Sequence, residues 1–233
     1  MIGPDIVTDS LEFYVDAANS KSYPGAGNAW YDLSGKGYDG TMYGTTAHNS
    51  TDGCMEFDGS SLCYVNFGEG ITWNTNFTVL AWYRSTSANA GRIFQNRGTG
   101  GADEYAGFQF STTSTSVWNN TYITATDGSY RTINAPTTNA FDGNWHQLAM
   151  GADISDGTTK MFYDAVSVYT DAYGAFVGKD FTPSGRPLTI GADHLGTSQI
   201  LNGSVSVAMV YKKLLDVAEV EQNFNAIRGR YGI

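Results

Sequence analysis

The three histidines, His48, His146 and His194, are the first side chains to weigh for chemistry. None is accompanied by the glycine-flanked serine turn that presents a nucleophile. His146, in "NWHQLAM", shares strand parity with Leu148 and Met150 and reads as a core-facing or hydrogen-bonded ring. Retaining cleavage of a glycoside needs two carboxyl groups about 5 to 5.5 Å apart. The close glutamates, Glu219 and Glu221, stand two apart on a helical segment, where such neighbours do not face each other. The chain therefore reads as non-enzymatic. Oxygen donors are better represented, and calcium gathers carboxylates, amides and carbonyls held by loops. Asp16, Asn19, Asp32 and Asp39 form one such set. Asp103 and Glu104 in "GTGGADEYAGF", with Asp193 in "IGADHLG", form another. The plain alternative is that acidic turn residues cap backbone amides.

These residues are positioned by short alternating runs separated by Gly, Asp, Asn and Ser, the pattern of a sandwich or jelly roll. In "GSVSVAMVY", Val205, Val207, Met209 and Tyr211 share one face and Ser204, Ser206 and Ala208 the other, so this strand is expected to have one wet side. "NFTVLAWYRS" is apolar on both faces and belongs in the middle of a sheet. Further runs are "LEFYVD", "GTMYG", "CMEFD", "LCYVNF", "RIFQN", "YAGFQFS", "TYITA", "NWHQLAMG", "TKMFYD" and "PLTIGA". "TDAYGAFVGKDFTPSGRP" reads as a loop. One helix is expected over 216–228: Asp216 and Glu219 make a capping-box start, Val217, Val220, Phe224 and Ile227 recur at helical spacing, and Gly229 stops it. It should cover one end or edge of the sandwich.

Composition agrees with a turn-rich β protein: 233 residues, 28 glycines against five prolines, and 14% aromatics with 15% charged residues. That length fits one domain over 1–233. Thirteen scattered Lys and Arg under a net charge of −10 exclude a phosphate-tracking surface. No apolar run approaches the roughly 20 residues of a membrane span. "MIGPDIVTDSLEFYVDAANS" lacks the pattern of an export signal, so assembly in a cytoplasm is expected. The sequons at Asn49, Asn76, Asn119 and Asn202 are then chance. Cys54 and Cys63 flank an expected hairpin, "CMEFDGSSLCYV", as diagonal neighbours too far apart for a relaxed disulfide, which predicts free thiols.

Four segments, in order, carry a resemblance. "LEFYVDAANSKSYPGAGNAWYDLSGKGYDGTMYG", "MEFDGSSLCYVNFG" with "NFTVLAWYR", "FDGNWHQLAMGAD" and the ending "LNGSVSVAMVYKKLLDVAEVEQNFNAIRGRYGI" resemble the concanavalin A-like lectin/glucanase superfamily. Within it they are most similar to laminin-G-like domains encoded by tailed bacteriophages. The resemblance implies an all-β, antiparallel two-sheet jelly-roll sandwich, one sheet concave, with one short C-terminal helix. It makes "DLSGKGYDG" a crossing loop in which Gly35, Gly37 and Gly40 supply positive φ or close approach. Trp30, Tyr31, Tyr38 and Tyr43 would bury their rings, while Asp32, Asp39 and Ser34 satisfy turn amides. The paired-glutamate strand motif of the glucanase branch is absent. Many members bind calcium, although the acidic run of the pentraxin relatives is reduced here to "GADHLG".

Sugar binding by this fold uses the concave sheet or its rim, where a ring meets a pyranose and Asn, Asp or Arg collects hydroxyls. Trp118 with Asn119 and Asn120 in "SVWNNTY" is the first candidate, because its neighbours are all polar. Tyr105 near Asp103, Tyr130 with Arg131, and Trp73 with Asn74 are the others. Trp82 and Trp145, in strand patterns, are assigned to the core. The expected function is a structural protein of a tailed phage particle: a lectin-like module on the virion surface, decorating capsid, tail or neck, present in many copies, and contacting other virion proteins and host or environmental glycans. The rival expectations are an extracellular carbohydrate-binding module or adhesin fragment, and a glycan hydrolase or lyase with an atypical site.

Overall fold

The protein is described from a computed structural model that covers residues 5–73, 75–87, 91–97, 106–111, 117–136, 141–182 and 185–233, with backbone alone for 117–120 and 134–136. In chain order come β1 (Leu11–Asp16), β2 (Ala29–Trp30), β3 (Gly40–Tyr43), β4 (Ala47–Asn49), β5 (Cys54–Asp58), β6 (Tyr64–Asn66), β7 (Phe77–Arg84) and β8 (Arg92–Gln95). They are followed by β9 (Gly107–Ser111), β10 (Val117–Thr124), β11 (Tyr130–Pro136), β12 (His146–Ala152), β13 (Thr158–Tyr163), β14 (Val166–Ala172), β15 (Thr189–Ile190), β16 (Asn202–Tyr211) and helix α1 (Val217–Ile227). Two antiparallel sheets form. The first runs β14-β13-β12-β7-β16-β5-β4, with β1 also paired to β16; the second runs β11-β10-β9-β8-β15-β6-β3-β2.

Strand alternation builds the main core between these layers. Phe13, Val15, Phe57, Val79, Leu148 and Val210 from the first sheet face Val65, Phe94, Phe108, Phe110, Ile123 and Ile190 from the second. Each such side chain contributes about 1.5–3 kcal/mol by leaving water. Rings meet edge to face, as in Phe94–Phe108, 5.0 Å apart at 70°. Trp73 is part of this core, against Phe77 and Phe108, so it offers no ring to a ligand.

A second apolar cluster lies on the outer face of the first sheet and corrects two expectations. Leu80, Trp82, Val207, Met209 and Tyr211 point outward there and are covered by Val220 and Ile227 of α1. Phe224 stacks on Trp82 at 5.3 Å. The helix therefore lies over a sheet face and not at an edge, and β16 has no wet side. A register shift between Val205 and Val207 sends Val205 inward and Val207 outward, which simple alternation does not anticipate. The helix start is as read: Asp216 accepts from the Glu219 N–H at 2.9 Å, and Glu219 accepts from the Asp216 N–H at 3.1 Å.

The expected Cys54–Cys63 hairpin does not form. β5 pairs with β4 and β16 in the first sheet, whereas β6 pairs with β3 and β15 in the second. Asp58 accepts from the N–H and hydroxyl of Ser60, and Leu62 takes a positive φ of 67°, so the chain crosses between layers there. Both cysteines are free and buried. β14, partly read as loop, follows β13 through a two-residue turn at Asp164 and Ala165, both with positive φ. Such turns are announced by Gly or Asn, and neither is present.

The opening loop behaves largely as the resemblance implies. Gly35 and Gly37 have φ of +81°, and a side chain on Gly40 would stand 2.4 Å from the Phe67 ring. Asp32 accepts from the N–H groups of Tyr14, Ser34, Gly37 and Tyr38, and Asp39 from that of Asp32. Trp30 is fully buried and Tyr38 packs on the core, but Tyr31 and Tyr43 are 41% and 43% exposed. Tyr31 follows the inward Trp30 at an edge strand, and Tyr43 sits at the outward position of β3, so neither ring has a layer to enter.

Candidate functional site

Helix α1 seals the outer face of the first sheet around Trp82, whereas the outer face of the second sheet is polar, buried along its middle at Gln95, Gln109 and Thr189 and accessible toward Asn66, Thr41 and Tyr43. Its strands alternate large apolar residues with amides and hydroxyls. In β9, Phe108 and Phe110 point inward while Gln109 and Ser111 point outward. The register aligns Thr132, Tyr122, Gln109, Gln95, Thr189, Asn66 and Thr41 in one row across β11, β10, β9, β8, β15, β6 and β3. Cross-strand partners share a face, so this row is a continuous band of hydrogen-bonding side chains.

Two residues along β3 and β6 from that row, Tyr43 pairs with Tyr64 on the same face. Their rings stack at 5.0 Å and 13°. Tyr64 is buried and holds Tyr43 flat, and Tyr43 presents the exposed surface. An aromatic plane beside amides and hydroxyls is what a pyranose needs: one apolar face and several hydroxyls.

The middle of the row, Gln95, Gln109 and Thr189, is buried and bonded within the protein. Arg92 is buried, and donates from Nε to Gln199 Oε1 and from a terminal nitrogen to Gln95 Oε1 at 3.1 Å. Gln95 donates onward to the Thr189 hydroxyl, which donates to the Ala192 carbonyl at 2.9 Å. Burial pushes Arg92 down to about 10, opposed by the charge of Asp193, so it stays a cation at neutral pH. Asp193 accepts from the N–H groups of Thr197 and Ser198 and from the Ser198 hydroxyl. Burial raises its carboxyl, but these bonds and Arg92 outweigh that and hold it below the usual value. Arg97 lies 4.5 Å over the Tyr122 ring and donates to the Thr124 hydroxyl. At the start of β9, Gly107 has a φ of +105°, and Asn96 Oδ1 occupies the place of its missing Cβ while accepting from the Phe108 N–H.

The candidates read from the sequence divide as follows. Asp193 is brought beside the row by the turn after β15. Trp118, Asn119 and Asn120 lie on β10 of this sheet, with their side chains outside the described residues; Asp103, Glu104, Tyr105 and Asn74 also lie outside them. Tyr130 is exposed, but Arg131 is committed elsewhere: it pairs with Asp171 of β14 and lies 4.7 Å over Tyr173, closing the rim between the two sheets. Asp16 is clasped by Arg230 and also accepts from the Tyr14 hydroxyl and the Ala18 N–H. Asp32 is filled by the four backbone donors already named. Asp16 and Asp32 are thus met by hydrogen-bond donors and not by fellow oxygens, and do not fit a calcium ion. Among the described residues no three His, Cys, Asp or Glu side chains converge as metal ligands. His146 is hydrogen-bonded, to Asp164 at 2.8 Å and Asp142 at 3.2 Å.

Gln95, Gln109, Thr189 and Asn66 were not singled out from the sequence, and Tyr43 was expected to be buried. Their signal is an amide or hydroxyl at the outward parity of an otherwise aromatic strand, as in "RIFQN" and "GFQFS". That pattern has meaning only once the layer it faces is known.

Two stacked antiparallel sheets, one outer face closed by a helix and the other polar, define a lectin-like jelly roll. The chain belongs to the concanavalin A-like lectin/glucanases superfamily, whose laminin-G-type model matches residues 58–221. No curated protein matches the sequence. Among solved structures, the binding domain of Paraclostridial Mosquitocidal Protein 1 superposes with a TM-score of 0.70 at 14% identity, over 94% of this chain and 52% of that one. A botulinum neurotoxin type C structure, described in terms of cell entry dependent on two ganglioside molecules, has the same scores: TM-score 0.70, 14% identity, 94% and 52% coverage. A heptameric SAP-like pentraxin from Limulus polyphemus gives a TM-score of 0.56 at 17% identity, over 71% of this chain and 78% of that one. The chain spans about half the length of the two toxin structures. At these identities the likeness carries the fold.

Proposed function

We propose that this domain is a non-catalytic glycan-binding module whose ligand lies on the outer face of the second sheet. The observation that carries this reading is the exposed Tyr43 ring, stacked on the buried Tyr64 and standing beside the partly exposed Asn66 and Thr41. A pyranose would lie on Tyr43 and exchange hydroxyl hydrogen bonds with Asn66 and Thr41. The similarity to toxin and pentraxin binding domains supports a binding role over a catalytic one, and the ganglioside named for the type C toxin supports a glycan as the ligand class. The resemblance of the four sequence segments to phage-encoded domains, with a net charge that keeps many copies soluble, supports display on a tailed-phage virion. Assembly would then take place in the host cytoplasm, beside other virion proteins.

A glycan array with the purified protein tests the binding reading. At least one family of glycans is expected to bind, and Tyr43→Ala and Asn66→Ala should each weaken it about tenfold, the loss of one stacking or bidentate contact, with the unfolding midpoint unchanged. An empty array, or binding indifferent to both substitutions, would overturn it. Mass spectrometry and cryo-EM of the purified particle test the location: density fitting this jelly roll is expected, and its absence removes the virion assignment.

A further inference from the structure

A cleft of about 400 Å³ lies away from the second sheet's outer face, between the loop leaving β1 and the β4–β5 turn. Ala17, Ser20, Tyr23 and Pro24 line one side, His48, Ser50, Thr51 and Asp52 the other, and Arg230 also borders it. We propose that this cleft is a second saccharide site, selective for a neutral polyhydroxylated ligand.

Its volume falls in the range of small-molecule sites, roughly 300–1,000 Å³. Both walls are held in place by the protein. Asn49 Oδ1 accepts from the N–H groups of Thr51 and Asp52, and Asn19 Oδ1 from that of Lys21. The two loops touch at Gly53, where a Cβ would stand 2.6 Å from the Ala18 Cβ, and the φ of +61° also favours glycine. Tyr23 and His48 form a tilted ring pair 4.5 Å apart. Tyr23 donates its hydroxyl proton to the Gly27 carbonyl at 2.9 Å. His48 Nε2 meets the Ala17 carbonyl at 2.9 Å; a carbonyl only accepts, so Nε2 carries a proton and donates it there.

Charge selects the ligand class. Arg230 gives one N–H from each terminal nitrogen to Asp16, at 2.7 Å each, and a guanidinium has five. Asp52 receives Arg84 on one oxygen at 2.7 Å and keeps lone pairs on the other. Each charge bordering the cleft thus has its counter-charge on the protein side, which leaves little net field for an anion or a cation. What remains is hydrogen-bonding capacity of both kinds: donors on Arg230, an acceptor oxygen on Asp52, and the hydroxyls of Ser20, Ser50 and Thr51. A ligand whose hydroxyls donate and accept, and whose ring carbons meet Tyr23 and Pro24, satisfies that combination.

The test is NMR of the His48 ring in the intact protein, titrated with methyl glycosides of glucose, galactose, mannose and N-acetylglucosamine to about 10 mM, which saturates a site of roughly millimolar affinity. At least one glycoside is expected to shift the His48 signals. Ser50→Trp and Thr51→Tyr, both at exposed positions and both adding a ring at the mouth, should weaken that shift at least tenfold while the unfolding midpoint stays put. Tyr43→Ala should leave it intact, which separates this site from the one on the second sheet. No shift with any of the four, a shift that persists in both obstructed variants, or a response to glucuronate alone would overturn the proposal.

Discussion

Asp16 carries a formal charge on a side chain that is only 1% exposed, and its two oxygens meet the two terminal nitrogens of Arg230. The fork geometry, with the Ala18 N–H and Tyr14 hydroxyl added, offsets the cost of removing the carboxylate from water. Arg230→Ala would leave that charge without its cation and should lower the unfolding free energy by about 3 kcal/mol in urea denaturation. Arg230→Lys should recover only part, because a point charge cannot make the paired bonds. A loss too small to measure in the alanine variant would mean that Asp16 is held by its neighbours alone. His146 gives a pH signature instead. Burial lowers its affinity for a proton, but the bonds and charges of Asp164 and Asp142 outweigh burial, so its pKa lies above the ordinary 6.5. Tyr83 and Tyr163, the other titratable groups around it, are both raised by burial and stay neutral. A raised folded-state value makes the stabilisation complete below the unfolded value and lost as pH climbs through the folded one. The stability gap between wild type and His146→Gln should therefore be widest near about pH 5.5 and narrow toward about pH 8.5, measured as unfolding midpoints. A gap that widens with pH would reverse the assignment.

Helix α1 is an element whose start was legible and whose placement was not. Asp216 and Glu219 announce the cap by identity and spacing alone. Asp216→Ala should cost about 1 kcal/mol, read in chemical denaturation, and Asp216→Asn much less; equal losses in both would assign the effect to charge and not to the cap. Where the helix docks depends on Trp82, Met209 and Tyr211 being outward together, and that follows from the shift between Val205 and Val207, which no local pattern signals. β7 was readable as a central strand because a run that is apolar on both faces has one kind of place in a sandwich. β5 and β6 were misjoined for the opposite reason. "DGSS" is good turn chemistry whether the next strand returns beside its predecessor or crosses to the other layer. The polar row of the second sheet shares this limit. Gln95, Thr189 and Asn66 are far apart in sequence and become neighbours only through register, whereas Trp118 and Tyr105 drew notice because their polar neighbours are adjacent in the chain.

At the scale of the whole molecule, two sheets stacked face to face leave an open rim wherever their edge strands come close. Here β11 and β14 are those edges, and Arg131 reaches from one to Asp171 on the other, over the ring of Tyr173. Asp171 also accepts from the Tyr169 hydroxyl at 3.2 Å. The pair is partly exposed, so it should set local opening more than global stability. Asp171→Ala is expected to speed amide hydrogen exchange in β11 and β14 about tenfold and to leave β7 and β16 unchanged. Uniform acceleration across both sheets would show the rim to be part of the global unfolding unit.

One further feature bears on how such a domain is held. The Val7 N–H donates to Asn223 Oδ1 at 2.8 Å, Tyr211 donates its hydroxyl proton to the Val7 carbonyl, and Gln222 reaches the Asp5 carbonyl at 2.8 Å. The beginning of the described chain is thereby fastened to its closing helix, behind the first sheet. A carrier fused at either terminus grips the module from the rear, and the tyrosine-bearing surface looks outward whichever attachment is chosen.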